Sequence, residues 1–159
     1  MSETKQMPTT GFALDRIYFA EQSLRLVQPT PELPETEPAM SFGWDWRIVG
    51  PHSFEVILQV QVGPTRARPE QAGVVLCGAF SVMGPNPSVG TLDFVKAQGP
   101  AILFPYLREG LTSLTSRGAH GPAYMAPVNV LALMQGMDSE KATGALQIKS
   151  GSEPAFLEA

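Results

Sequence analysis

Cysteine, histidine and clustered positive charge are scarce in this 159-residue chain, and each scarcity closes off a class of function. Cys77 is the single cysteine, so an intramolecular disulfide and any CxxC metal or redox motif are excluded. That usage fits a reducing compartment, and the cytoplasm is the expected location. Eleven Lys and Arg are scattered among fifteen Asp and Glu. The resulting net charge of −4 and pI near 5.1 argue against nucleic-acid backbones or anionic membrane surfaces as partners. No apolar run approaches the roughly 18 residues that span a bilayer, and Met1–Thr10 lacks the charged head and apolar stretch of a signal peptide. A soluble, unexported protein is expected.

Catalytic motifs are equally sparse. His52 and His120 are the only histidines, no GxSxG elbow occurs, and His120 sits in the glycine-flanked stretch Gly118–Gly121, which reads as a surface loop. The sequence contains no GxxxxGK[ST], GxGxxG, HExxH or acidic-glycine calcium loop, so the usual carriers of nucleotide and metal sites are missing. Glu21 with Asp15, and Glu109 beside Arg108, are better explained as solvated strand and helix faces than as acid–base pairs. Cys77, between Leu76 and Gly78, reads as a small buried apolar residue. The expectation is a protein that is not an enzyme and needs no cofactor or metal.

What the chain does have is alternation. Gly11–Val27 alternates over short spans, with Phe12, Leu14, Ile17, Phe19, Leu24 and Leu26 against Asp15, Arg16, Glu21 and Arg25, and predicts one strand with breaks. Gln28–Ala39 holds four prolines and three glutamates; it can neither pair in a sheet nor bury surface and should run along the outside. Met40–Val49 sets Met40, Phe42, Trp44, Trp46 and Ile48 on one face. Phe54–Val62 is the clearest strand, Gly63–Gln71 a polar loop, Gly73–Met83 a further strand, and Gly84–Gly90 a turn-rich crossover. Strands first and helices afterwards predict an α+β fold, a four-stranded antiparallel sheet with two helices on one face. At 159 residues and 43% hydrophobic content one domain is expected, 11–137, with a flexible N-terminus at 1–10 and a flexible tail at 138–159.

The stretch Pro100–Met134 carries the helical half. At 100° per residue Leu103, Phe104, Leu107, Leu111 and Leu114 share one arc, Ile102 and Tyr106 flank it, and Arg108, Glu109, Thr112 and Ser116 fill the remainder. This stripe is broader than a simple surface helix needs, so two surfaces should cover it. Gly110 lies in the stripe at a cost of about 1 kcal/mol relative to alanine, which predicts a close approach of another backbone there. Pro100 suits a first-turn position, Pro105 should bend the helix, and Arg117-Gly118 should end it. A second helix is expected from Pro127 to about Gly136, apolar nearly all round.

Several of these segments together resemble the SecB protein-export chaperone family: Asp15-Arg16-Ile17-Tyr18, Gly78-Ala79-Phe80-Ser81-Val82, Ile102–Tyr106 with Arg108, Glu109 and Ser116–Gly118, and Ala126-Pro127-Val128-Asn129, in that order. The resemblance spans roughly 12–134. It implies a homotetramer, a dimer of dimers with long helices sandwiched between sheets, with Leu103, Leu107, Gly110, Leu111 and Leu114 at the oligomer interface. It also implies an ATP-independent holdase that keeps unfolded precursors extended in apolar grooves and delivers them to the export motor SecA.

Met40, Phe42 and Trp44, with Val130 and Met134, match apolar groove positions and are the expected client contacts, since aromatic area and repackable methionines suit irregular clients. Trp46, Tyr124 and Met125 are secondary candidates. A strand carrying Met, Phe and Trp in alternation is as compatible with core or subunit interface as with an open groove. Glu21 matches an acidic SecA-docking position, whereas Arg25 and Gly73 stand where further acids are expected. A SecB-like chaperone for a dedicated client, such as an antitoxin, is therefore the alternative. From the residues alone, a small-ligand carrier and a purely structural oligomer also stay open.

Overall fold

The computed structural model describes residues 11–84 and 90–137. Four strands, β1 (Phe12–Leu26), β2 (Met40–Gly50), β3 (Ser53–Val62) and β4 (Glu70–Val82), form one antiparallel sheet in the order β1-β4-β3-β2. A short α1 (Thr91–Asp93), a π-helical turn at Phe94–Gln98, α2 (Gly99–Ser116) and α3 (Val130–Met137) follow. This is the expected α+β arrangement. The expected flexible ends at 1–10 and 138–159, and part of the Gly84–Gly90 crossover, lie outside the described residues.

Alternation sends Phe54, Val56, Leu58, Val60 and Val62 of β3 and Ala72, Val74, Leu76 and Phe80 of β4 to the helix side, where all are buried. Edge strand β1 keeps an apolar helix-side row although its spacing is irregular. Register shifts between Leu14 and Arg16 and between Phe19 and Glu21 leave Asp15 and Ala20 as extra residues. Each bulge flips the parity, so that Phe12 and Leu14, then Ile17 and Phe19, then Leu24 face the same way. Those are the breaks anticipated in the strand. β4 begins at Glu70, earlier than expected, because Leu26 and Arg25 of β1 pair with Glu70 and Gln71.

The helical rod starts earlier too, at Thr91. Its π turn directly precedes Pro100, whose missing N–H interrupts the regular ladder. Phe94 of that turn is buried and stacks on Phe12 at 4.1 Å, edge-on to Phe80 at 5.4 Å. α2 continues through Pro105, which lies on its exposed face where solvent can satisfy the carbonyl freed one turn earlier. α3 begins at Val130 and not at Pro127. Asn129 is the reason: its Oδ1 accepts from the Ala132 N–H at 3.1 Å and its carbonyl from the Leu133 N–H at 3.0 Å, an N-cap that a first-turn proline three residues earlier does not supply.

The wide apolar stripe of α2 is taken up largely inside the same chain. Leu103, Leu107 and Leu111 are fully buried against the sheet and Leu114 is half-buried, so the three inner leucines are core and not oligomer interface. Each contributes about 1.5–3 kcal/mol, which outweighs the cost of Gly110. Within the chain it is a side chain that meets Gly110: a Cβ there would lie 2.6 Å from the Phe19 ring of β1. At Gly78 of β4 a Cβ would lie 2.5 Å from a Leu103 methyl carbon. The two glycines should therefore respond differently to alanine. Leu103 is enclosed, so Gly78→Ala is expected to destabilise by about 1–3 kcal/mol through overpacking. Phe19 is 42% exposed within the subunit and its ring can shift, so Gly110→Ala should cost the subunit less than Gly78→Ala, with the helix-propensity gain partly offsetting ring displacement. Urea midpoints of the two variants check the contrast.

Candidate client-binding groove

A cleft of about 320 Å³ opens where the β2 start, the β3–β4 loop and the α2–α3 connection meet. Thr36 and Pro38 of the proline-rich connector form one wall, and His120, Ala123 and Tyr124 form the other. Met40, Val62 and Leu111 form an apolar floor, with Thr65, Ala67 and Arg68 at the end. A second, more open cleft of about 450 Å³ lies beyond Tyr124, between Met125, Pro127 and the Pro105, Arg108, Glu109 and Thr112 face of α2. The two share Tyr124, which is 77% exposed.

Local bonds hold these walls. The N–H groups of Arg66 and Ala67 donate to the carbonyls of Pro34 and Glu35, so the connector is tied down without joining the sheet. On the other side, the Thr112 hydroxyl donates to the Ala123 carbonyl at 3.1 Å and the Ala123 N–H to the Thr115 hydroxyl oxygen at 2.8 Å. Gly121 makes the turn between them at φ 75°.

Of the five expected client contacts, Met40 lines the first of these two clefts, at 44% exposure, and the other four line neither. Phe42 and Met134 are core residues, 5% and 2% exposed, and Phe42 packs on the Phe104 ring at 5.7 Å. The reason is α2, whose Phe104 covers Phe42, and the shared core, which takes in Met134 as well. Trp44, Trp46 and Val130 are half-buried against that core. Tyr124 and Met125, the secondary candidates, are cleft residues. Arg68 was not singled out; a lone arginine in a polar loop carries no signal before the loop's partners are known.

The opposite sheet face is polar and tied together. The Tyr18 hydroxyl donates to Glu55 Oε1 at 3.0 Å, two strands away, so its ring lies across β4 above Cys77, its register partner. Arg47 donates to Glu55 Oε2 at 2.7 Å, and the Arg16 guanidinium lies 4.9 Å from the Tyr18 ring centre. This cover explains why Glu55, Ile57 and Cys77 are at most 4% exposed on a face without helices. Glu21 is exposed on this face; Arg25, two residues beyond Ser23, donates to Gln71 Oε1 at 2.6 Å. Among the described residues no group of three or more His, Cys, Asp and Glu could hold a metal ion, and no helix is long and apolar enough to cross a membrane.

The family model for "Preprotein translocase subunit SecB" matches residues 4–141 of this chain. The chain belongs to the SecB family. The protein-export protein SecB of Methylococcus capsulatus is 31% identical over 143 residues, covering 84% of this chain and 88% of the relative. That of Actinobacillus succinogenes is 32% identical and covers 76% of each. Among solved structures, the fold is similar to a Mycobacterium tuberculosis SecB-like chaperone solved with a ChAD peptide from the HigA1 antitoxin. The TM-score is 0.57 at 17% identity, covering 74% of this chain and 88% of that one. The protein is thus a member of a family of protein-export chaperones.

Burial pushes the Tyr18 hydroxyl up from its ordinary value near 10 to about 12, aided by Cys77 and Glu55. Burial likewise pushes the Cys77 thiol up. For both groups the folded state holds a proton that the unfolded state gives up first. Their contribution is therefore complete below the unfolded values, 10.0 for Tyr18 and 9.0 for Cys77, and is lost as pH rises through the raised folded ones. Thermal midpoints should fall from about pH 9 upward, and Tyr18→Phe should flatten the decline. An equal slope in that variant would count against the half-buried phenol as its source.

Proposed function

We propose that this SecB-family protein holds non-native polypeptides, without ATP, in the linked clefts on either side of Tyr124, and delivers them to the SecA export motor. The observation that carries this is an exposed apolar pair at one cleft, Met40 at 44% and Tyr124 at 77% exposure, over a base formed by the buried Val62 and Leu111. Such a surface takes irregular side chains without demanding one shape, since methionine repacks and the tyrosine ring offers area with a polar rim. Of the contacts expected from sequence, Met40 and the half-buried Trp44 and Val130 stay in this assignment. Phe42 and Met134 act from beneath, by supporting it.

The working unit is the single domain 11–137, assembled in the cytoplasm as a homotetramer, a dimer of dimers. Supporting assembly, apolar surface remains after the chain's own core is closed: Leu14 and Phe19 on β1, Ile102 and Tyr106 on the outer flank of α2. These, with the half-buried Leu114, are the proposed oligomer contacts. Glu21 is the proposed acidic contact for SecA. A second reading, a chaperone for a dedicated client, draws support from the Mycobacterium tuberculosis neighbour's antitoxin peptide and from Arg25, a positive charge at an expected acidic position.

The test is suppression of aggregation of a chemically denatured precursor by the full chain. Met40→Ser with Tyr124→Ser is expected to weaken client binding about tenfold to a hundredfold, since the two side chains together contribute about 1.4–2.8 kcal/mol. Both residues are exposed, so the melting temperature should hold. A double variant as active as the parent removes the groove assignment. Separately, Glu21→Lys should weaken capture by SecA while leaving client binding unchanged; no capture by the parent chain would favour the dedicated-client reading.

A further inference from the structure

Both walls of the 320 Å³ cleft hang from one short loop between β3 and β4. The N–H of Arg66 donates to the Pro34 carbonyl at 2.9 Å and that of Ala67 to the Glu35 carbonyl at 3.1 Å, just before the connector wall. One residue further on, the Arg68 guanidinium reaches the other way. It donates to the carbonyls of Gly121 at 2.8 Å, His120 at 2.9 Å and Pro122 at 3.3 Å, just before Ala123 and Tyr124. The loop is itself braced. Thr65 is buried, its hydroxyl accepts from the Arg68 N–H at 2.9 Å, and its own N–H donates to the Arg68 carbonyl at 2.9 Å. Buried Glu70 steadies the guanidinium at 3.4 Å.

We propose that Arg68 is a positioning residue for client binding, setting the width of the cleft by pinning the α2–α3 strap to the loop that also carries the opposite wall. This rests on the client reading of the cleft. Tyr124 is too exposed for packing to fix it; Ala123 before it is held to α2 by Thr112 and Thr115, and Arg68 supplies the anchor on the loop side through the carbonyls of His120, Gly121 and Pro122. Only a guanidinium presents a planar fork of donors to a row of carbonyls; an ammonium carries the same charge but not the fork. A strap in place one-tenth of the time weakens apparent affinity about tenfold with no client contact removed.

Arg68→Lys tests this, because it keeps a positive charge beside buried Glu70. Gly121→Ala strains the same strap through its backbone: φ is 75°, no atom lies within 4 Å of the added Cβ, and the Arg68 side chain is kept. The readouts are the Kd of the full chain for a fluorescein-labelled unstructured peptide rich in Phe and Leu, and hydrogen exchange across 30–39 and 118–125. Both variants should bind roughly tenfold more weakly, with faster exchange confined to the strap and unchanged exchange in the connector. Weaker binding in Arg68→Lys but not in Gly121→Ala would mean that the guanidinium touches the client directly, and overturns the positioning role. Faster strap exchange with parental affinity overturns it as well. If the parent chain binds no peptide, the client reading falls and the Arg68 role with it; if parent and variants bind alike, only the Arg68 role falls.

Discussion

Leu103 fills the space that a side chain on Gly78 would occupy, and this one contact sets how close α2 lies to the sheet and how it is rotated. With Leu103 seated, Leu107 and Leu111 follow at helical spacing into the core, and Ile102 and Tyr106 are turned outward. Gly110 is then level with β1, where the Phe19 ring lies against it. Gly118 reaches Glu70 at the start of β4, and the following strap crosses toward β2, making a wall where the sheet's aromatic row begins.

The two sheet faces are closed by different physics. The helix side is sealed by apolar burial, with Phe12, Phe54, Phe80 and Phe94 in mutual contact. The opposite side is closed by long polar side chains bonded across strands, and the carboxylate of Glu55 receives both Tyr18 and Arg47. A buried carboxylate with two donors, one of them charged, is tolerated where an isolated one would not be. Among the exposed apolar side chains are Tyr124 on the strap, Ile102 and Tyr106 on the flank of α2, and Leu14 and Phe19 on β1, where binding and assembly are proposed.

Much of the architecture was legible because strand alternation is a strong signal: β2 and β3 follow from Met40–Ile48 and Phe54–Val62 almost residue by residue. Other features are set by partners distant in sequence. The period of β1 fails at Asp15 and Ala20 because bulges reset it, and only pairing with β4 shows that Phe12, Ile17 and Leu24 share a face. The α2 stripe correctly announced wide burial, but a helical wheel cannot say whether the covering surface belongs to the same chain. The chain's own sheet took the leucines expected at an interface. The early helical turns at 91–98 lack a strong period, and Pro127 imitated a helix start that Asn129 makes. At the site, an alternating aromatic row marks the right strand but not which members the helices cover, so Phe42 was read as groove and Tyr124 only as a secondary candidate.

The proposed function comes down to one expectation, that the surface around Tyr124 stays open to a client in the assembled particle while the flank of α2 around Tyr106 is taken by a second copy. Site-specific photocrosslinking from a benzophenone amino acid placed at either position, with a denatured precursor present, tests this most directly. The account predicts precursor adducts from position 124 and chaperone–chaperone adducts from position 106. Chaperone–chaperone adducts from position 124, with no precursor captured there, would contradict it.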